Sequence, residues 1–297
     1  MNNDAYQVIT DRIMAQLEKG VVPWQKPWRG GEQMPRNLIS RHAYRGVNVF
    51  LLHAMCFESP FWLTYKQAVE LGGHVKKGER ACPVVFWKRL QVEDRTEPTG
   101  NKNVPFLRYY SVFNVSQCEG IPPAKIPVQN GSQREHCPIT EAENIVAAMP
   151  KKPEIKLGGG RACYSPALDC VNMPQPEHFQ SGQDYYSVLF HELTHSTGHA
   201  SRVNRKGISG SDGEWSAFGS TPYAREELVA EMGAAFLSGH AGIVERTLDN
   251  SAAYIKAWLE RLKEDRRLIV QAAAAAQKAA DFILGTQFPQ PETEDNE

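Results

Sequence analysis

The run His191-Glu192-Leu193-Thr194-His195 holds the residue types and spacing best suited to chemistry in this sequence. On an α-helix, positions i and i+4 lie on one face about one turn apart. Two imidazoles so placed can share one divalent metal ion, with zinc the first choice and other divalent metals accepted by the same donors. Glu192 sits beside the first ligand and reaches past the metal rather than onto it. The metal lowers the pKa of a water towards neutrality and the carboxylate takes its proton, which is the chemistry of hydrolysis at a polarised carbonyl.

Two imidazoles leave the site short of a third protein ligand. The segment Tyr223 to Leu237 contains Glu226, Glu227 and Glu231 among Leu228, Ala230, Gly233, Ala234 and Phe236. A helix so apolar is mostly buried, so at least one of its carboxylates needs a partner inside. The order HExxH, then Glu-x-x-x-acid, resembles the gluzincin metallopeptidases. That resemblance makes Glu227 the metal ligand and Glu231 the residue that steadies a ligand imidazole. Glu226 and Glu231 remain alternatives for the ligand itself. HELTHSTGH also resembles the metzincin string as far as Gly198, but Ser201 stands where that family's third histidine would be. His199 is therefore an alternative ligand, against the plainer reading of a histidine favoured by a helix C-terminus. Tyr223 reads as a core tyrosine that could also donate to an oxyanion. By resemblance to zincins, the stretch around Tyr164 to Met173 is an edge strand able to pair with extended peptide.

The elements around these residues are legible in outline. Ser181 caps a helix that runs through HELTH to about Gly198, and Thr221-Pro222 opens a second to about Ser238. Thr140 and Glu143 form a capping box for a helix to Met149. Ile155–Leu157 reads as a strand and Ala162–Met173 as another. Asn250–Leu284 reads as one long amphipathic helix before an acidic tail. Upstream, Asp4–Glu18 has helical spacing, and Val21–Trp28 (VVPWQKPW) reads as an extended arm carrying two indoles, since two prolines oppose a helix. Thr64 and Gln67 mark a capping box. Pro83–Val92 and Pro105–Val115 alternate like paired strands and predict an antiparallel hairpin.

With 297 residues and ordinary apolar content, the chain can bury a sizeable core. No apolar run approaches the roughly 18 residues of a membrane span, and the first residues lack a signal pattern. The expectation is a cytoplasmic protein with no membrane partner. None of the six cysteines forms a CxxC pair, so they read as buried reduced thiols. The fold class is α+β in two domains. Residues 1–125 form an α+β unit with an antiparallel sheet, 126–138 a linker, and 139–297 the metal-site domain.

The near-neutral net charge hides an asymmetry. Residues 1–125 hold 17 Lys and Arg against 11 Asp and Glu, and the remainder 16 against 23. In the basic half, cations alternate with rings: Trp24, Lys26, Trp28, Arg36, Arg41, Tyr44, Arg45, then Lys76, Lys77 and Arg80 in a tight turn. Single-stranded nucleic acid asks for this mixture, because rings stack on bases and cations follow phosphates. Taken singly, each ring is more often structural.

Several strings together resemble the ArdC-type antirestriction family. They include Leu17-Glu18-x-Gly20-Val21-Val22-Pro23-Trp24-x-x-Pro27-Trp28, Tyr44-Arg45-Gly46-x-Asn48, Trp62-Leu63-Thr64-Tyr65-Lys66-Gln67, Val112-Phe113-Asn114-Val115 and HELTHSTGH…YAREELVAE. The N-terminal region is similar to that of TraC-type plasmid primases, and the C-terminal run is similar to SprT-like proteases. The resemblance implies a single-stranded-DNA-binding domain followed by a zincin-like metallopeptidase domain. It further implies a plasmid-borne bacterial protein, made in or carried to a recipient cell, that guards incoming DNA from type I restriction. Two other readings follow from the same halves. One is a DNA-dependent protease acting on a host restriction protein or another DNA-bound protein; the other is a non-enzymatic DNA shield whose metal is structural.

Overall fold

In a computed structural model of the chain, residues 4–25, 34–93, 101–127, 138–205, 221–243 and 252–286 are described. The first helix, α1 (Ala5–Leu17), starts where Asp4 accepts from the Tyr6 N–H. It buries Ile9, Ile13 and Leu17, one face at helical spacing. The strands β1 (Arg36–Asn37), β2 (Phe61–Thr64), β4 (Cys82–Glu93) and β5 (Asn101–Asn114) form a sheet in the order β1-β2-β5-β4. The expected hairpin is β4–β5, antiparallel with Phe86 opposite Arg108 and Trp87 opposite Leu107.

At its outer edge β4 is completed by a side chain. Asn48, in α2 (Val47–His53), accepts from the Val85 N–H at 2.7 Å and donates to the Val85 carbonyl at 2.8 Å. A buried amide thus takes the place of a neighbouring strand at that point. The expected capping box is present at α3 (Tyr65–Glu70): Thr64 Oγ1 accepts from Gln67 N and Gln67 Oε1 from Thr64 N. A short ribbon of β3 (His74–Val75) and β6 (Cys118–Glu119) flanks it.

The second half contributes α4 (Pro138–Ala148), a three-stranded sheet of β7 (Glu154–Leu157), β8 (Cys163–Ser165) and β9 (Cys170–Met173), and the helices α5 (Gly182–Ser196), α6 (Thr221–Ala241), α7 (Ala252–Glu264) and α8 (Leu268–Ile283). In that sheet β9 is central, parallel to β7 and antiparallel to β8. α8 lies against α6. Its alanines at 272, 273, 276, 279 and 280 are buried, and only so small a side chain lets two helix backbones come so near.

One hydrophobic core joins the two sequence units. Ile9, Trp24, Phe50 and Trp62 share it with Phe190, Phe236, Trp258 and Ile283. The Phe50 and Phe236 rings stack with centroids 4.8 Å apart. Arg45 pairs with Asp281 of α8, and the neighbouring Gly46 N–H donates to Gln277 at 3.0 Å. A smaller core holds Leu38, Phe61, Leu63, Ala68 and Val115.

Four expectations need correction. The arm at Val21–Trp28 is not extended throughout: Pro23–Gln25 is a 3-10 turn, which proline permits at its first position. The strand read across Ala162–Met173 is two strands, because the chain reverses between them with Asp169 at φ 45°. The single helix read across Asn250–Leu284 is two. Asp265 Oδ1 captures the Arg267 N–H at 2.9 Å, a local bond that competes with the helix ladder. α4 begins at Pro138, so Thr140 lies inside it rather than capping it. Among the described cysteines only Cys82 and Cys170 are buried, and Cys56 is exposed. Most of the expected linker and the acidic tail lie outside the described residues.

Candidate metal centre

α5 is started by Ser181, whose hydroxyl accepts from the Asp184 N–H at 3.1 Å. Leu189, Phe190 and Leu193 anchor it in the core, which turns His191 and His195 towards α6. α6 is held by Leu228, Val229 and Met232, all but fully buried. The helices touch at one small residue. A Cβ on Gly233 would fall 2.4 Å from Thr194 Cγ2 and 2.6 Å from its hydroxyl. Thr194 cannot swing away, being buried with its hydroxyl bonded to the Phe190 carbonyl at 2.7 Å.

This contact sets Glu227 against the two histidines. The Nε2 atoms of His191 and His195 are 3.1 Å apart. Glu227 Oε2 is 3.5 Å from His191 Nε2, and Glu227 Oε1 is 3.6 Å from His195 Nε2. Tetrahedral bonds of about 2.0–2.1 Å place their donors about 3.3 Å from one another. Two neutral imidazole nitrogens and a carboxylate oxygen at these separations fit a divalent cation. Among the described residues they are the group of three or more His, Cys, Asp or Glu side chains whose donor atoms converge within 4.8 Å.

The surroundings set the charge of each group. Burial pushes the His191 ring down, but the Glu227 hydrogen bond and the charges of Glu192, Glu227 and Glu231 outweigh it, so its pKa is raised. Burial pushes the Glu227 carboxyl up, and the two histidines with Tyr223 reverse this, leaving it below the usual range. Tyr223 is only partly buried and its phenol is raised, first by burial and then by Glu227.

Glu192 is nearly buried, and its Oε2 accepts from the Tyr164 N–H of β8 at 2.8 Å. The backbone of the neighbouring strand therefore holds the carboxylate beside the histidines. Tyr164 is held in turn, its hydroxyl donating to Asp169 at 2.9 Å. Arg202 grips both Asp169 oxygens at 2.8 and 2.9 Å and also donates to the Ser196 carbonyl at 2.9 Å. This arginine staples the end of α5 to the β8–β9 turn.

Glu226, not Glu231, contacts a ligand imidazole. Its Oε1 lies 3.3 Å from His195 Nδ1, which fixes the tautomer that leaves Nε2 open to a metal. Arg205 completes the chain, with Nε 3.1 Å from Glu226 Oε2 and Nη2 2.8 Å from the Thr194 carbonyl. Burial pushes Glu226 up, but His195 and Arg205 hold it below the usual range. Glu231 instead accepts from the Trp24 indole at 2.9 Å and from the Tyr254 hydroxyl. Burial outweighs these donors, so its pKa is raised. His199 stands outside the converging set, bonded to Ser201 Oγ at 2.8 Å. Glu226 was visible as an acid beside Glu227. Arg205, Arg202 and Asp169 carry no spacing signal, because they reach the site only through the fold.

The residues expected to meet DNA divide sharply. Trp24 and Tyr44 are buried, Tyr44 against the Phe86 ring, so neither offers a face to a base. Arg45 is spent on Asp281. Arg36 is half-buried in β1. Arg41 lies over the Phe61 ring at 5.4 Å. Lys76, Lys77 and Arg80 are exposed as expected. Lys26 and Trp28 lie outside the described residues. The correction for Trp24 and Tyr44 is physical: a ring amid apolar neighbours gains more from the core than from solvent.

Comparison with known proteins adds to this. Residues 3–113 match the family described as the N-terminal domain of anti-restriction factor ArdC, and residues 140–275 the zincin-like metallopeptidase family. A DNA primase TraC of Escherichia coli is 33% identical across 96% of this chain, which spans only 27% of that primase. The uncharacterized protein y4eC of Sinorhizobium fredii is 35% identical, over 96% of this chain and 92% of its own. Crystal structures of the antirestriction ArdC protein from plasmid R388 superpose with a TM-score of 0.73 at 37% identity. The metal-free one is covered over 100% of its length and the Mn(II)-bound one over 98%, against 96% and 95% of this chain. No helix among the described residues is long and apolar enough to cross a membrane.

Proposed function

This chain belongs to the ArdC antirestriction family, and on that premise we propose that it protects incoming plasmid DNA by binding single strands and acting as a metallopeptidase. The observation that carries the enzymatic part is the convergence of His191 Nε2, His195 Nε2 and Glu227, with separations from 3.1 to 3.6 Å, beside the buried Glu192. The Mn(II)-bound relative supports a divalent cation on these three residues, with zinc as the first metal to test.

Such a cation, when bound, supplies Lewis acidity and makes a water acidic enough to ionise near neutrality. Glu192 takes the proton. Its Oε2 is fixed by the Tyr164 N–H, which leaves its other oxygen for that transfer. Glu226 and Arg205 hold His195 in the tautomer that presents Nε2. β8 is the edge of its sheet and offers main-chain groups to an extended peptide. The protein substrate would be a host restriction protein or another DNA-bound protein.

We further propose that residues 1–125 carry the DNA contacts and 139–297 the metal site, joined by 126–138 and folded around the shared core. The exposed Lys76, Lys77 and Arg80 support sequence-independent binding to phosphates.

The test is protection of a restriction-sensitive plasmid during transfer, with wild type beside Glu192→Ala, both checked for bound metal. Lost protection with metal kept is expected. A second reading, a DNA shield with a structural metal, is favoured by the bond from Tyr164 N–H, which gives Glu192 a structural use. Full protection by Glu192→Ala would select the shield, and no protection by wild type would end both.

A further inference from the structure

Among the described residues, nine large apolar side chains are exposed, and four of them sit on the β4–β5 hairpin: Phe86, Trp87, Tyr109 and Tyr110. They occupy four successive rows of one ladder. Tyr110 faces Val84, Tyr109 faces Val85, Arg108 faces Phe86 and Leu107 faces Trp87. Side chains alternate between sheet faces, so Phe86, Arg108 and Tyr110 share one face and Trp87 and Tyr109 the other. On the first face the Phe86 and Tyr110 ring centroids are 5.7 Å apart, and the exposed Arg108 stands opposite Phe86. The buried Tyr44 ring backs Phe86 at 6.2 Å, so the platform rests on a rigid support.

We propose that the face of Phe86, Arg108 and Tyr110 is a stacking platform for the unpaired bases of a single-stranded nucleic acid. This rests on the DNA-binding reading above and gives it a location, replacing the buried Trp24 and Tyr44. Charge selects the occupant. Arg108 lies between the rings, where a guanidinium can stack or meet a phosphate. The exposed turn of Lys76, Lys77 and Arg80 leads directly into β4. From Arg80 to Phe86 is six residues, about 20 Å of strand, so one short polyanion can touch both. Rings tolerate any base, since every base has a π face, and cations follow the backbone.

The test uses the full chain and a fluorescein-labelled oligothymidylate, with anisotropy read over a salt series. Phe86→Ala/Tyr110→Ala should weaken binding about ten- to hundredfold while the slope of log affinity against log salt stays unchanged. Phe86→Leu/Tyr110→Leu, which keeps apolar bulk but no π face, should weaken it likewise, and Tyr110→Phe should retain it. Lys76→Ala/Lys77→Ala should instead flatten the slope by roughly 2. Wild-type melting behaviour in the variants shows that they fold. If wild type binds and both ring variants bind equally well, the platform is overturned and the DNA reading stands. If wild type does not bind, the DNA reading itself falls. A concentration-dependent dimer that the ring variants abolish, with DNA affinity unchanged, would reassign this face to self-association.

Discussion

The Trp24 indole N–H donates to Glu231 Oε2 at 2.9 Å, joining side chains 207 positions apart in sequence. Glu231 is one helical turn beyond Glu227 on α6, so the N-terminal unit reaches into the helix that carries the third metal donor. The Trp24 ring also meets Trp258 edge-on at 6.0 Å, within the core that both units build.

Trp24→Phe should therefore destabilise the whole molecule. It keeps most of the apolar volume and takes a donor from a buried carboxylate, which costs about 1–3 kcal/mol. Urea unfolding would show a lower midpoint with the metal still bound. An unchanged midpoint would mean that Tyr254 alone satisfies Glu231.

Gly233→Ala should separate the two metal-site helices. Alanine favours a helix over glycine by about 1 kcal/mol. Here its Cβ would sit 2.4 Å from a buried, hydrogen-bonded threonine, and overpacking of this kind costs about 1–3 kcal/mol. We expect lower stability and weaker metal binding, both partly restored in Thr194→Ala/Gly233→Ala. Calorimetry and metal titration of the double-mutant cycle measure this, and a stabilised Gly233→Ala would refute it.

Glu226→Gln should lower metal affinity by about 10- to 100-fold, the usual result of losing a ligand's supporting carboxylate. Glu231→Gln should lower it less, since its hydrogen bonds go to Trp24 and Tyr254. Competition titrations against a chelator would rank the two, and the reverse order would return the supporting role to Glu231.

The Asp169–Arg202 pair should shape acid stability. Burial pushes the Asp169 carboxyl up, but the bonds from Arg202 and Tyr164 prevail and hold it below the usual range. A folded pKa below the unfolded value of about 3.9 adds stability that is present above that value. It is lost as pH falls through the folded pKa. Denaturant unfolding from about pH 7 to about pH 3 should show a shallower acid-side loss in Arg202→Met than in wild type. Equal slopes would show that the pair is not coupled to folding.

Much of the site was legible because its signals are local. HELTH places two imidazoles on one face by helical geometry alone, and an acid pair on an apolar helix must find partners inside. The Thr64 cap, the Ser181 cap and the hairpin alternation likewise depend on residues within a few positions of one another.

Which glutamate does what was decided only by the tertiary structure. Glu226, Glu227 and Glu231 lie on one helix, and sequence could not say that Arg205 would draw Glu226 to His195 or that Trp24 would occupy Glu231. The break at Asp265 turned on a side-chain bond that competes with the helix ladder on nearly equal terms. The fate of the aromatic residues was also open. A tryptophan among cations reads the same whether it meets a base or a core. Burial in a core built from both halves settled Trp24, while Phe86 and Tyr110 stayed exposed on a strand face that no element covers completely. Local spacing determines which groups can do chemistry together; packing between distant segments determines which of them face each other, because only the folded chain sets their distances and their solvent.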